Sequence, residues 1–190
     1  MAEYLFETHQ PVRLAVEIGR GSVNVTAADS GQTRVAITGR DADLVEVRQD
    51  GERITVRGPK QRGLFSLGDR LDVDVRLPAG SDASVRTASA DVAIAGPIGA
   101  GQVKSGSGEV TIEVATGPLQ VETGSGDVEI GHAQGAAQIK SGSGDIGLRE
   151  AGGATMVSTG SGDVEVGTAH AACVVKTGSG DLKVDEAGSD

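Results

Sequence analysis

Six acidic residues recur at intervals of 18: Asp91, Glu109, Asp127, Asp145, Asp163 and Asp181. Carboxylates stacked at a constant interval could hold calcium, and the β-roll of repeats-in-toxin proteins also closes a turn in about 18 residues. That motif reads G-G-x-G-x-D in each half-turn. Here the acid follows the second Gly directly, as in Gly126-Asp127, and the other half-turn carries no such motif. The acids therefore read as strand starts whose carboxylates bond backbone N–H groups of the glycine corner. Stacked like charges repel, so weak sensitivity to cations or salt is expected. Calcium or glycan binding on this ladder is the alternative.

Hydroxyls form two further ladders, Thr87/Ser105/Thr123/Ser141/Thr159/Thr177 and Ser89/Ser107/Ser125/Ser143/Ser161/Ser179. A flat T-x-S array could bind ice, but a G-S-G corner takes the second ladder off a flat face. Hydrogen bonding along the stack explains the hydroxyls without a ligand. His132 and His170 fall in variable corners, two repeats and two columns apart, roughly 10 Å by strand spacing. They read as separate exposed turn residues sharing no metal. Cys173 lies in an inward column and reads as a small buried hydrophobe. No G-x-S-x-G elbow, P-loop or G-x-G-x-x-G opening a helix is present, so no catalytic, cofactor-binding or metal-binding residue is assigned. The expected activity is non-enzymatic, with no cofactor.

The elements that carry these columns follow from the repeat itself. Cut from Val85, the chain falls into 18-residue units beginning VRTASADVAI (Val85), VKSGSGEVTI (Val103), VETGSGDVEI (Val121), IKSGSGDIGL (Ile139), VSTGSGDVEV (Val157) and VKTGSGDLKV (Val175), the sixth incomplete. The first position is always Val or Ile; the eighth and tenth are always Val, Ile or Leu. Two apolar residues flanking one variable residue mark a strand with one buried face. The position two before each first Val or Ile, where Leu119, Ala137, Thr155 and Cys173 fall, points inward as well. Each unit thus predicts two short strands joined by a glycine corner. The thirteenth position is Ala in five units, with Pro97 the exception, which suggests a tight bend packed inward. G-S-G every 18 residues and β-branched enrichment oppose helix. Acid at the seventh position opposes the hexapeptide left-handed helix of acyltransferases. One coil buries too little to fold alone, so the coils must stack cooperatively.

Residues 1–84 read as an irregular N-terminal β cap, and residues 85–190 as the regular array, in one continuous domain. GRGSVNV (Gly19 to Val25) echoes GSGDVEI (Gly124 to Ile130). RVAITG, DLVEVRQ, ERITVRG and LDVDVRLP are further alternating strands, with DGE (Asp50 to Glu52) as a hairpin turn. PKQRGLFSLG (Pro59 to Gly68) breaks the pattern and reads as a mobile loop exposing Phe65.

The opening FETHQPVRLAVEIGRGSVNVTAAD, then GERITVRGPK, LDVDVRLPAG and the recurring [ST]GSGDVxV, resembles the bacterial β-strand-repeat "putative adhesin" family, common in actinobacteria and largely uncharacterised. The resemblance covers essentially the whole chain. It implies a right-handed β-solenoid and no catalytic residues. His9 stands where the family carries Pro, which touches only the first strand.

The 190 residues hold 30 Gly, three aromatics and one Cys, with a net charge of −10. One Cys excludes a disulfide framework and Cys-based zinc sites. So few aromatics leave no stacking platform for single-stranded nucleic acid. The acidic body repels nucleic acid and anionic lipid. No apolar run approaches a membrane span of about 18 residues. Met1 to Val16 lack a leader pattern, giving a cytoplasmic expectation. The chain is expected to be an all-β scaffold or protein-interaction module, self-associating through solenoid ends or faces, including end to end.

Overall fold

The computed structural model describes residues 1–59 and 70–187. The loop expected around Phe65 lies outside these residues. Alternation builds every strand. In the unit starting at Val121, Val121 and Thr123 are buried while Glu122 is half-buried and Gly124 exposed; past the corner, Val128 and Ile130 are buried and Asp127 and Glu129 exposed.

The described residues form seventeen strands. The first seven are β1 (Ala2–Glu7), β2 (Arg13–Ala28), β3 (Gln32–Thr38), β4 (Glu46–Asp50), β5 (Arg53–Arg57), β6 (Leu71–Pro78) and β7 (Asp82–Ile98). Shorter strands follow in strict alternation: β8 (Gly101–Ser107), β9 (Val110–Ala115), β10 (Leu119–Ser125), β11 (Val128–Ala133) and β12 (Ala137–Ser143). The last five are β13 (Ile146–Ala151), β14 (Thr155–Ser161), β15 (Val164–Ala169), β16 (Cys173–Ser179) and β17 (Leu182–Ala187).

Pairing in the array is parallel and in step with the repeat. Val121 of β10 lies opposite Val103 of β8 and Ile139 of β12. Ile130 of β11 lies opposite Ile112 of β9 and Leu148 of β13. Every partner is one unit away, so each coil stacks on the next and the chain is an all-β solenoid. The strands before the corner make one layer (β7, β8, β10, β12, β14, β16) and those after it make the other (β7, β9, β11, β13, β15, β17). Inward columns from both layers join one apolar cluster. Ala115, Ala133, Ala151 and Ala169 close the second strand of each coil and are buried.

The corner is tighter than the G-S-G triplet implies. Ser107 and Ser125 still pair with each other as strand residues. The turn falls on the second glycine: Gly108, Gly126 and Gly162 have φ of +139°, +154° and +147°, which a side chain disfavours.

β2 stacks directly on β7, with Val16 opposite Val85 and Val23 opposite Val92. The GRGSVNV echo is therefore in register with the array. Above β2 the pattern changes. β5 and β6 pair in parallel with its first and second halves, then β4 and β3 add antiparallel, and β1 adds antiparallel to β3. The DGE turn joins β4 to β5, with Gly51 at φ +57°. The start of DLVEVRQ is a short 3₁₀ turn, Ala42–Leu44, because Leu44 N–H bonds Asp41 O at 3.0 Å, so the strand begins at Glu46. No helix among the described residues is long and apolar enough to cross a membrane.

Candidate interaction surface

The acidic ladder sits at the corner, fully outward. Its carboxylates do not bond their own glycine turn, as the sequence suggested; they reach along the stack. The backbone N–H of Asp145 donates to Asp127 Oδ1 at 2.9 Å, that of Asp163 to Asp145 Oδ1 at 2.8 Å, and that of Asp181 to Asp163 Oδ1 at 2.7 Å. Glu109 N–H donates to Asp91 Oδ1 at 3.1 Å. Apart from Asp127, which follows Glu109, the corner amide of each of these coils thus meets the carboxylate of the preceding one, which offsets the repulsion of stacked charges. Spacing predicted the column; only the stacking identified the donor. Among the described residues, no three His, Cys, Asp or Glu side chains are arranged to hold a metal ion.

The two hydroxyl ladders separate by depth. Ser105, Thr123, Ser141 and Thr159 are buried, so the T-x-S array presents no flat exposed face. Thr87 Oγ1 donates to Ser105 Oγ at 3.1 Å, and Thr159 Oγ1 to Gly144 O at 3.3 Å. Ser107 Oγ donates to Ser89 Oγ at 3.2 Å on the outside.

The histidines depart from expectation. His132 Nε2 lies 3.3 Å from Glu150 Oε2, and His170 Nε2 lies 3.1 Å from Glu150 Oε1. Glu150 stands opposite His132 on the neighbouring coil and spans the gap to His170. The rings meet different oxygens of one carboxylate. Reading single columns missed this because the three residues come from three coils. Cys173 is only half-buried. Thr155 covers one side, and β16 has no coil beyond it among the described residues. Partial burial raises its thiol pKa, which disfavours the thiolate.

A basic column, unremarked in the sequence reading, runs down the outside of the first layer. In register stand Arg57, Glu17, Arg86, Lys104, Glu122, Lys140, Ser158 and Lys176. The six Lys and Arg between 85 and 190 are Arg86, Lys104, Lys140, Arg149, Lys176 and Lys183, and four of them fall in this column. The opposite layer and its corner carry the acids. Lys104 Nζ bonds Glu122 Oε2 at 2.7 Å and Gln120 Nε2 bonds Glu122 Oε1 at 2.9 Å. Lys104 first, with Lys140 beyond, holds the Glu122 carboxyl below its usual pKa. Beside the column the glycines Gly106, Gly124 and Gly142 leave an open groove of about 570 Å³. A Cβ on Gly142 would lie 2.4 Å from Gly124 O of the coil before. The close approach of coils thus excludes side chains and keeps the groove floor bare.

Uninterrupted parallel rungs with aliphatic filling and a charged exterior define an all-β solenoid repeat protein. The chain belongs to the Toastrack family DUF4097, which matches residues 12–189. A solved structure described as a putative adhesin from Bacteroides fragilis shares the fold, with 18% identity, a TM-score of 0.60 and 96% of each chain covered. A putative adhesin from Parabacteroides distasonis is matched at 10% identity and a TM-score of 0.48, again over 96% of each chain. A putative cell adhesion protein from Clostridium sporogenes is matched at 10% identity and a TM-score of 0.46, over 98% of this chain and 99% of that one. No curated protein matches the sequence.

Proposed function

We propose that this protein is a non-enzymatic scaffold that presents columns of outward side chains to a protein partner, another copy of itself included. The carrying observation is a division of labour within each repeat. The first, third, eighth, tenth and thirteenth positions are spent on stacking, while outward columns such as Lys104/Glu122/Lys140 and Thr111/Glu129/Gly147 vary in charge and size. A rigid frame with freely chosen outer side chains suits recognition across an extended surface. The description of the Bacteroides fragilis protein as a putative adhesin is consistent with this class of activity.

A specific observation favours end-to-end self-assembly as a second reading. Leu182 and Val184 are 47% and 37% exposed, whereas Val164 and Val166, one coil earlier in the same columns, are 1% and 0% exposed. Uncovered inward columns template pairing with a further coil, which a second copy can supply. Size-exclusion chromatography with light scattering over a concentration series tests self-association. A mass that rises with concentration supports it, and a strict monomer throughout removes it.

A further inference from the structure

We propose that the basic column of the first layer docks the acidic ladder of a second copy of this chain, so that copies associate side by side through charge. This rests on the scaffold reading and names its partner. Both features are written by the same repeat. Arg86, Lys104, Lys140 and Lys176 stand in one laterally paired column, with Glu122 and Ser158 on the intervening rungs, and Asp127, Asp145, Asp163 and Asp181 stand in another at steps of 18 residues. Rungs rise by about 4.8 Å in each. The shared rise lets several cations of one copy meet carboxylates of the other in a single alignment.

Within one molecule, most cations of this column take no acidic partner among the described residues. Glu122 is tied to Lys104 and Gln120. Arg86, Lys140 and Lys176 are exposed, and none has an ion pair among the described residues. The bare glycine groove beside them gives an incoming row of short acidic side chains room to approach. The net charge of −10 opposes side-by-side association, so local complementarity at the ladders must outweigh it.

Sedimentation velocity of the 190-residue chain at about 50 mM and about 500 mM NaCl decides the matter. The expected result is a mass above monomer at low salt and association weakened at least about tenfold at high salt. Lys140→Glu/Lys176→Glu, checked for an unchanged β circular dichroism spectrum, should be monomeric at low salt. Asp145→Asn/Asp163→Asn retains the side-chain oxygen that accepts the next coil's amide and should weaken association as well. Association that persists in Lys140→Glu/Lys176→Glu overturns the proposal. Salt-resistant oligomers abolished by Leu182→Ser overturn it too, while leaving end-to-end self-assembly standing. A monomer at both salt concentrations ends both forms of self-association. A monomer that instead binds poly-L-glutamate replaces the second copy with an acidic polymer.

Discussion

The two ends of the stack solve the same problem differently. Above β2 the chain abandons the repeat, and the antiparallel strands β3, β4 and β1 cover the apolar end. Their outer residues are mostly charged, Glu46, Arg48 and Asp50 on β4 and Glu3 and Glu7 on β1, although Leu5 between the two glutamates is exposed as well. Charges on an edge strand discourage further pairing. At the other end the repeat runs unaltered into β16 and β17, and the inward columns come to the surface. Identical rungs can lengthen a solenoid; only a break in the repeat can finish it. Leu77, under the N-terminal strands, is 0% exposed, whereas Leu182 of the last coil is nearly half exposed.

The comparison is broken most severely at the joint between the regions. Gly21 has φ +126°, and an added Cβ would sit 1.8 Å from Leu71 O. Gly21→Ala should cost more than about 4 kcal/mol in urea unfolding. Gly51→Ala, at a turn with φ +57° and open space around it, should cost only about 1–2 kcal/mol. Leu77→Ala should destabilise by about 2–5 kcal/mol, and Leu182→Ala by about 0.5 kcal/mol or less. Equal effects from these two in denaturant titrations would mean that the last coil is covered in solution. A smaller change sharpens the account of the corner. Among the described residues, the acidic relay is interrupted where Glu109 precedes Asp127, because the longer side chain does not meet that amide. Glu109→Asp should raise stability by about 0.5–1 kcal/mol by completing it. Added calcium or chelator should leave the thermal melt unchanged, since the ladder's carboxylates are engaged by backbone amides.

Much of the array was legible from residue types alone. A valine or isoleucine at the first position and a pair at the eighth and tenth imply two half-buried strands, and uninterrupted phase implies stacking. The joint at Gly21–Val25 was legible for the same reason. The Glu150 meeting point of His132 and His170 was not, because their coincidence depends on side-chain reach across coils. Nor was the donor to each aspartate, because a local turn and a neighbouring coil offer equivalent N–H groups until the coils are superposed. The basic column was written in plain sight as Arg86, Lys104, Lys140 and Lys176. Overall acidity hid it, since net charge averages over all faces of the molecule.

By itself, the order of residues determined the period, the inward and outward columns and the coil's two strands. Side-chain alternation and glycine's conformational range are local properties, and 18-residue repetition carries them along the chain. Tertiary structure alone decided which partner each corner carboxylate takes, how the N-terminal strands cover one end, and that most cations of the array share one outer column. Those outcomes depend on which coils become neighbours, and neighbours in space are chosen by stacking rather than by sequence distance.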